Sequence, residues 1–201
     1  MTPYFMKKFF QIARCPVCNL MAVANIPEDL SRYYSEGYFT GDVTLDGYID
    51  YDLDKEVTKK TYIHYLDILE KLIVKQAEIN LFEVGCATGF FMDLARRKGW
   101  QTEGIDISQY AVKKAEEKGL VATATMLESY RSEKRFDVVI MQDLIEHVKD
   151  PLDVLERAKN LLAENGLLFI TTPDAGSLWA RVWKKNWHAF VPPQHLFYFS
   201  V

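Results

Sequence analysis

The stretch that decides the fold is residues 79–106, which read INLFEVGCATGFFMDLARRKGWQTEGID. Its opening part, residues 79–84, is a short apolar run of the kind that forms a buried strand. Small residues follow, and apolar residues then recur at helical spacing until Gly99, where glycine can close a helix. A second strand is predicted near residues 102–105. This order indicates two parallel strands joined by a helix.

The same alternation continues on both sides of this unit. Before it, a helix is predicted by apolar residues at helical spacing: Tyr62, Tyr65, Leu66, Leu69, Leu72 and Ile73. After it, strands are predicted at residues 120–124, 136–141 and 167–171, with helices that begin at Ser108 and Asp150-Pro151 and end at Gly119 and Asn165-Gly166. These elements predict an α/β fold, a three-layer Rossmann-like parallel sheet flanked by helices with strand order 3-2-1-4-5. Ligands of such sheets bind at the carboxyl ends of the strands.

Composition is that of a single globular domain. The chain has 201 residues, of which 49% are hydrophobic and 26% charged, with a net charge of −4. Lys and Arg are scattered rather than gathered into a stripe, which argues against a nucleic-acid partner. No apolar run is long enough to span a bilayer and the first residues lack the features of a signal peptide, so we expect a cytoplasmic protein without a membrane partner. A homodimer is compatible with these properties.

The sequence pattern changes near residue 55. Residues 1–55 are rich in Tyr, Phe, Asp and Gly without sustained periodicity, whereas residues 56–201 are strongly periodic. We therefore predict an N-terminal aromatic cap over residues 1–55 and the Rossmann-like domain over residues 56–201. Four aromatic residues of the cap and of the C-terminal segment are candidates to enclose a cationic ligand: Tyr34, Tyr38, Trp183 and Trp187.

The loop after the first predicted strand carries the strongest functional signal. The string from Glu83 to Gly89 places an acidic residue at the strand end, then small residues that let the backbone pass close to a ligand, then a helix N-terminus. A nicotinamide dinucleotide fits poorly, because its fingerprint needs a third glycine where this chain has Phe90 and its pyrophosphate would be repelled by Glu83. A ligand with a cationic amino group and no phosphate, such as S-adenosylmethionine, fits better. Asp106 ends the second strand, where its carboxylate can accept hydrogen bonds from both ribose hydroxyls.

Three stretches together carry a family resemblance. They are LFEVGCATGFFMDLARRKGWQTEGIDIS, FDVVIMQDLIEHVKDP and NGLLFITTPDAGSLWARVWKKNWHAFVPPQHLFYFS, and the resemblance covers residues 15–201. The sequence resembles class I S-adenosylmethionine-dependent methyltransferases, in the branch of small-molecule and sugar methyltransferases related to the ubiquinone-pathway O-methyltransferases. This resemblance implies transfer of a methyl group to a small-molecule acceptor, which we expect to be a hydroxyl.

The resemblance also implies roles for individual residues in binding S-adenosylmethionine. The methionine part would lie against Glu83, Gly85, Ala87 and Gly89, and Asp106 would hold the ribose. Ile107, Met126 and Leu127 would flank the adenine, with Thr125 beside them and without the acidic residue common in the family at that place. Gln142 and Asp143 would lie beside the sulfonium.

The sequence departs from the family pattern in two places. The family sheet has seven strands, the last two forming an antiparallel hairpin, and this chain ends before they could be built, so we expect a C-terminally truncated domain that lacks the hairpin. Many relatives begin with a zinc ribbon of two Cys-x-x-Cys knuckles, and Cys15-Pro-Val-Cys18 resembles the second knuckle without the first. Because tetrahedral zinc needs four ligands, we expect two free thiols and no metal there.

Candidate catalytic residues follow the strand ends. Asp143, Glu146 and His147 are spaced to converge on one turn of helix, and this string resembles the Glu-x-x-Glu-His metal site of the ubiquinone-pathway enzymes and some RNA methyltransferases. We expect a catalytic or structural role without metal. Removing a proton from a hydroxyl acceptor requires a base, for which His195 is the first candidate and His147, next to Glu146, the second.

Two alternatives of a different class stay open at this point. The protein could bind S-adenosylmethionine as a pseudo-enzyme or regulatory module without transfer, or it could be a nicotinamide oxidoreductase, against which Glu83 and Phe90 argue. The acceptor atom is equally open between oxygen, nitrogen and carbon.

Overall fold

The computed structural model describes residues 1–27, 51–74 and 78–200. The strands, in chain order, are β1 (Thr2–Lys7), β2 (Phe10–Arg14), β3 (Met21–Val23), β4 (Asn80–Val84), β5 (Gln101–Asp106), β6 (Val121–Ala124), β7 (Phe136–Gln142), β8 (Leu162–Thr171) and β9 (Phe197–Tyr198). The α-helices are α1 (Tyr51–Leu72), α2 (Phe90–Arg97), α3 (Gln109–Glu117), α4 (Pro151–Leu161) and α5 (Leu178–Trp183), and a short 3₁₀ helix covers Lys184–Asn186.

The chain divides into two compact units. The terminal unit comprises Met1–Arg32, Gln142–Pro151 and Ile170–Val201, and the sheet unit comprises Tyr33–Met141 and Leu152–Phe169. This division differs from the expected boundary after residue 55, because the first and last parts of the chain belong to the same unit. Long-range pairing of that kind leaves no trace in local composition.

The sheet unit is built on a five-stranded sheet in the order β6-β5-β4-β7-β8. Counted from β4, this is the predicted order 3-2-1-4-5, and the α/β fold with a parallel sheet flanked by helices is confirmed. Parallel pairing aligns Val84 with Ile105 on one side and with Met141 on the other. The carboxyl ends of β4, β5 and β7 therefore lie along one edge. Among the described residues no further strand joins this sheet.

The helices of the sheet unit cover it with apolar side chains. Tyr62, Leu66 and Leu69 of α1 are buried, as the helical spacing predicts, whereas Leu72 is exposed. They belong to a continuous core with residues of α2, α3 and the central strands: Phe91, Met92, Leu94, Ala95, Ala115, Leu81, Val138 and Ile140. Ser108 caps α3 as predicted, since its Oγ accepts a hydrogen bond from the Ala111 N–H.

The end of α4 differs from the prediction. The helix stops at Leu161 and β8 begins at once, five residues before the expected start at Leu167. Asn165 has a left-handed φ of 61°, and a Cβ on Gly166 would lie 3.0 Å from the carbonyl oxygens of Ala163 and Phe136. Asn165-Gly166 therefore forms an irregular turn within β8 and does not end α4. The sequence alone cannot distinguish these two roles, because Asn and Gly favour both.

The terminal unit contains a second, four-stranded sheet in the order β1-β2-β3-β9. Its antiparallel strands cover residues for which the sequence pattern predicts no strand. The hairpin of β1 and β2 turns at Lys8, with φ of 53°, and Phe9, without the Asn-Gly signal that marks such turns. The sheet packs on a compact apolar cluster: Ile12, Met21, Val23, Ala180, Trp187, Ala189, Phe190 and Tyr198.

No helix among the described residues combines the length and the apolar character needed to cross a bilayer.

Candidate functional site

The loop between β4 and α2 turns at three left-handed positions. Gly85 and Gly89 each have φ of 75°, and Ala87 has φ of 47°. The N–H groups of Gly85 and Cys86 donate to the Ile105 carbonyl oxygen at 2.8 and 2.9 Å, which ties the loop to the end of β5. Glycine adopts this conformation without steric cost, so the small residues noted in the sequence are required by the backbone itself.

Two glycines let this loop pack tightly against its neighbours. A Cβ on Gly89 would clash with Leu120 Cδ1 and lie 3.1 Å from Ala115 Cβ. A Cβ on Gly104 would lie 2.6 Å from Met92 Sδ and 2.8 Å from Cys86 Cβ. The loop and the end of β5 are therefore held in close contact that no larger residue would permit.

Asp106 links the loop to the segment after β5. Its Oδ2 accepts the Ala87 N–H at 2.9 Å and its Oδ1 accepts the Ser108 N–H at 2.8 Å. Burial raises the pKa of Asp106, and the N–H bonds from Ser108, Ala87 and Ile107 oppose that rise. Each carboxylate oxygen keeps a second acceptor site, as a pair of ribose hydroxyls would require.

The remaining residues implied for the cofactor lie in different environments. Glu83 is buried at the end of β4, while the side chains of Ile107 and Met126 are half or more exposed. Leu127 is buried, with 5% of its surface exposed, so only its main chain is available to a ligand. Thr125 donates its N–H to the Asp106 carbonyl oxygen at 2.9 Å, which places this segment beside the end of β5.

Polar contacts that no sequence pattern predicts connect the loop to α1. Thr88 Oγ1 donates to Asp52 Oδ1 at 2.5 Å, and Lys118 Nζ lies 2.7 Å from Asp52 Oδ2. Lys118 Nζ also donates to the Thr88 carbonyl oxygen at 2.9 Å. In the sequence, Asp52 is one acidic residue in the first turn of a helix, a position where such residues are common.

In the terminal unit, the segment after β7 begins with a strained turn. Gln142 is the last residue of β7, and Asp143 then takes a left-handed φ of 49°. The Asp143 N–H donates to the Thr171 carbonyl oxygen at 3.0 Å. A positive φ at a residue other than glycine is uncommon and often occurs at functional sites.

Glu146 lies inside the terminal unit with only 1% of its surface exposed. Thr172 Oγ1 donates to its Oε2 at 3.0 Å, and its Oε1 has no hydrogen-bond partner among the described residues. Burial, followed by the negative charge of Asp143, raises the pKa of Glu146 to about 7. The carboxyl group is therefore poised to gain or lose a proton near neutral pH.

The two candidate histidines lie against each other beside Glu146. Their ring centroids are 4.6 Å apart with the rings perpendicular. His147 Nδ1 lies 2.9 Å from the Gln194 carbonyl oxygen, so this nitrogen carries the hydrogen of the neutral ring. Burial lowers the pKa of His147 to about 4, and burial together with the neighbouring His147 lowers that of His195 to about 3.

Glu146, His147 and His195 each offer a ligand atom within 4.8 Å of the others, and among the described residues they are the only such group of three. The sequence predicts that Asp143, Glu146 and His147 lie together. In the structure, the group of three contains His195 in place of Asp143. Cys15 and Cys18 are free thiols in the turn between β2 and β3. Hydrogen bonds from the backbone of Cys18 and Val17 lower the pKa of Cys15.

Four aromatic residues were candidates to enclose a cationic ligand, and only two of them lie among the described residues. Tyr34 and Tyr38 lie outside the described residues, Trp187 is buried in the core of the terminal unit, and Trp183 is 57% exposed.

A family profile described as a methyltransferase domain matches residues 58–201. The chain belongs to the methyltransferase-domain family. The match covers most of α1, the loop after β4, Asp106, and the segments carrying Glu146, His147 and His195. The residues expected to bind the cofactor and the candidate bases therefore lie within it, whereas Cys15 and Cys18 do not.

Curated relatives of this methyltransferase domain are enzymes of quinone synthesis. The sequence is 32% identical over 127 residues to a ubiquinone biosynthesis O-methyltransferase of Actinobacillus pleuropneumoniae serotype 5b (strain L20), covering 55% of this chain and 54% of the relative. A second relative with the same name, from Leptothrix cholodnii, is 27% identical over 117 residues, covering 53% of this chain and 49% of the relative. The chain thus spans about half the length of the curated relatives it matches.

Solved structures confirm the fold of the methyltransferase domain. The plantazolicin methyltransferase BpumL, in complex with a pentazolic desmethylPZN analog and SAH, superposes with a TM-score of 0.56 at 15% identity, over 77% of this chain and 64% of that protein. DesVI of Streptomyces venezuelae gives a TM-score of 0.53 at 18% identity, over 62% of this chain and 56% of that protein.

Proposed function

We propose that this protein is an S-adenosylmethionine-dependent methyltransferase that acts on a hydroxyl group of a small-molecule acceptor, in the cytoplasm and without a nucleic-acid partner. The observation that carries the proposal is the pairing of the left-handed loop after β4 with the partly buried carboxylate of Asp106, which accepts the loop's Ala87 N–H. The family match and the O-methyltransferase names of the relatives support it.

The residues present fit S-adenosylmethionine better than a nicotinamide dinucleotide. Glu83 supplies a buried carboxyl group, which suits a cationic amino group and disfavours a pyrophosphate. Asp106 offers one free acceptor site on each oxygen for the ribose hydroxyls. Phe90 begins α2 at the place where the dinucleotide fingerprint needs glycine. Gly85, Ala87 and Gly89 would line the methionine part, Ile107, Met126 and the Leu127 main chain the adenine, and Gln142 the sulfonium.

When bound, S-adenosylmethionine supplies a methyl group from a sulfonium that is already a good leaving group. The protein's own tasks are to align the acceptor and to take up the hydroxyl proton as the new O–C bond forms and the S–C bond breaks. In the chain, Glu146 and His147 follow β7 and His195 follows β8, and the three side chains lie together in the terminal unit.

We assign the role of the base that takes up the proton to Glu146, with His147 and His195 as neutral neighbours. A base works best when its pKa lies near the working pH, and burial raises the pKa of Glu146 to about 7. The imidazoles, with pKa values lowered to about 4 and about 3, are weaker acceptors. This assignment reverses the order expected from the sequence, in which His195 came first.

If Glu146 is the base, replacing it should lower kcat more than replacing His147 or His195. Glu146→Gln should lower kcat by about 10²-fold or more while the affinity for S-adenosylhomocysteine stays nearly unchanged, because a general base typically contributes 10²–10⁴-fold. His195→Gln and His147→Gln should each lower kcat less. Steady-state kinetics with each variant, together with calorimetry of the product, separates these effects.

EDTA should leave turnover unchanged under the same conditions. If EDTA abolishes turnover and Mg²⁺ restores it, the cluster of Glu146, His147 and His195 holds a cation and the base assignment is wrong. If none of the three variants affects kcat, the acceptor is a carbon or an already ionised oxygen.

The acceptor itself can be found by product analysis. The protein is incubated with a metabolite extract and S-adenosylmethionine labelled in the methyl group, and the extract is searched by mass spectrometry for a labelled product. A labelled ether or ester supports O-methylation. Binding of the cofactor without any labelled product, in a sample that contains the whole natural chain, would instead support a regulatory module.

A further inference from the structure

The short helix α5 exposes an unusual amount of apolar surface. The exposed fractions are 73% for Leu178, 67% for Trp179, 61% for Val182 and 57% for Trp183. These residues lie one and four positions apart, so they share one side of the helix. Contiguous exposed apolar surface of this kind marks an interaction site in soluble proteins.

The opposite side of α5 is already used by the core of the terminal unit. Ala180 is buried in the same cluster as Trp187 and Phe190. Ser177 caps the helix, since its Oγ accepts the Ala180 N–H at 3.2 Å. The helix is therefore anchored through its inner side, and its apolar outer side is not needed for folding.

Positive charge surrounds this apolar side. Arg181, Lys184 and Lys185 are exposed in α5 and in the 3₁₀ helix that follows it. Lys7 Nζ donates to the Lys185 carbonyl oxygen at 2.8 Å, which brings the tip of the β1–β2 hairpin to the same place. That tip adds Lys8 and a further exposed aromatic residue.

The added aromatic residue is Phe9, which is 89% exposed. Residues 175–201 contain no Asp or Glu. Just before them, Asp174 Oδ1 accepts the Gly176 N–H at 2.7 Å. The outer side of α5 and the hairpin tip thus form one aromatic–basic face.

We propose that this aromatic–basic face binds the surface of a lipid bilayer that contains anionic lipids. Tryptophan prefers the boundary between headgroups and acyl chains, and basic residues beside it are attracted to anionic headgroups. The protein would lie on the membrane rather than span it, so the proposal agrees with the lack of a spanning helix among the described residues. It departs from the expectation, drawn from composition, that the protein has no membrane partner.

A bilayer fits the face better than a second copy of the chain. A symmetric dimer through this face would bring Arg181, Lys184 and Lys185 of both copies together, and like charges at a contact are unfavourable. An anionic bilayer instead offers charge complementarity to the basic residues and an apolar phase to Leu178, Trp179, Val182 and Trp183.

The test is cosedimentation of the 201-residue protein with large vesicles of phosphatidylcholine, with and without phosphatidylglycerol. We expect binding to the anionic vesicles that weakens with salt, and a blue shift of tryptophan fluorescence. Trp100 and Trp187 are buried, so the shift reports on Trp179 and Trp183. Trp179→Ser/Trp183→Ser should weaken binding by at least about tenfold, and Lys184→Gln/Lys185→Gln by on the order of tenfold or more, since each basic residue contributes about fivefold.

Matched controls change exposed residues of the sheet unit. Leu152→Ser and Lys113→Gln/Lys159→Gln remove the same kinds of side chain and should leave vesicle binding unchanged. Circular dichroism and thermal unfolding confirm that all variants fold. Equal sedimentation with both kinds of vesicle, or equal binding by the face variants and the controls, overturns the proposal. So does a dimer, detected by analytical ultracentrifugation, that the Trp179→Ser/Trp183→Ser change dissociates while vesicles bind nothing.

Discussion

At the scale of single residues, Asp106 has a structural role besides the ribose-binding role that we propose for it. Its two oxygens already accept the Ala87 and Ser108 N–H groups, which hold the loop and the segment after β5 in place. The sequence could predict the carboxylate because it ends a strand of a parallel sheet. It could not predict these two bonds, since they depend on the left-handed turn at Ala87.

Replacing Asp106 should weaken cofactor binding strongly. Asp106→Ala removes charge-assisted acceptors for the ribose, each worth about 1.5–3 kcal/mol, so affinity for S-adenosylhomocysteine should fall by about 10- to 100-fold. Calorimetry measures the change. Asp54→Ala, on an exposed position of α1, is the control, and equal affinity in Asp106→Ala and the control would contradict the ribose role.

Glu146 should make stability depend on pH. Its folded-state pKa, about 7, lies above the ordinary value of 4.5, so folding takes up a proton between these values. The contribution of this group to stability is complete below about pH 4.5 and is lost as pH rises through 7. Glu146→Gln does not ionise, so its stability relative to the wild type should improve by on the order of 3 kcal/mol between pH 4.5 and pH 8.

Urea unfolding of both proteins at pH 5 and pH 8 measures this difference. Glu164→Gln, at an exposed position, controls for the change in net charge. A stability difference that is the same at both pH values would mean that Glu146 is not held in a raised-pKa environment. The same urea unfolding at pH 8 shows whether Glu146→Gln is folded under the conditions of the kinetic measurements, so that a loss of activity can be separated from unfolding.

At the scale of elements, the loop after β4 depends on a close approach as well as on backbone conformation. Gly89 and Gly99 both have left-handed φ values, of 75° and 88°. A Cβ on Gly99 would meet nothing within 4 Å, whereas a Cβ on Gly89 would clash with Leu120. Gly99→Ala therefore tests only the strain of a left-handed backbone. Gly89→Ala adds to that strain the steric clash of the new methyl group with Leu120.

Gly99→Ala should cost about 1–2 kcal/mol of unfolding free energy, and Gly89→Ala about 1–3 kcal/mol more. Thermal or urea unfolding of the two variants gives the comparison. If both variants lose the same free energy of unfolding, α2 and α3 can move apart to admit a methyl group. The loop would then be less tightly packed than the close approach of Gly89 to Leu120 implies.

Prediction of elements from sequence worked where the signal was local. The strands and helices from Asn80 to Leu161 follow their apolar periodicity closely, and Ser108 caps α3 as its position predicted. The start of β8 was missed, because Asn165-Gly166 serves equally well to end a helix or to bend a strand. Strands β1 to β3 were missed because their hairpin lacks a turn signal and because β9, which completes their sheet, lies at the other end of the chain.

At the scale of the whole molecule, the sequence indicates candidate functional groups but does not show which of them are buried or which lie together. The segment after β7 was expected to present Asp143, Glu146 and His147, whereas His195 joins the latter two. Which groups are buried decides their pKa values, and burial depends on packing that brings residues 146 and 195 together from distant parts of the chain. For that reason the structure favours Glu146 over His195 as the base. The proposed cofactor loop is a local motif, so its residues are the same in both interpretations.

We infer that this chain binds S-adenosylmethionine through the loop after β4 and Asp106. The decisive measurement is a calorimetric titration of S-adenosylhomocysteine into the folded protein. We expect a dissociation constant on the order of micromolar for the protein and markedly weaker binding for Asp106→Ala. A folded sample that binds neither S-adenosylmethionine nor its product, or that binds NADH in their place, would contradict the account.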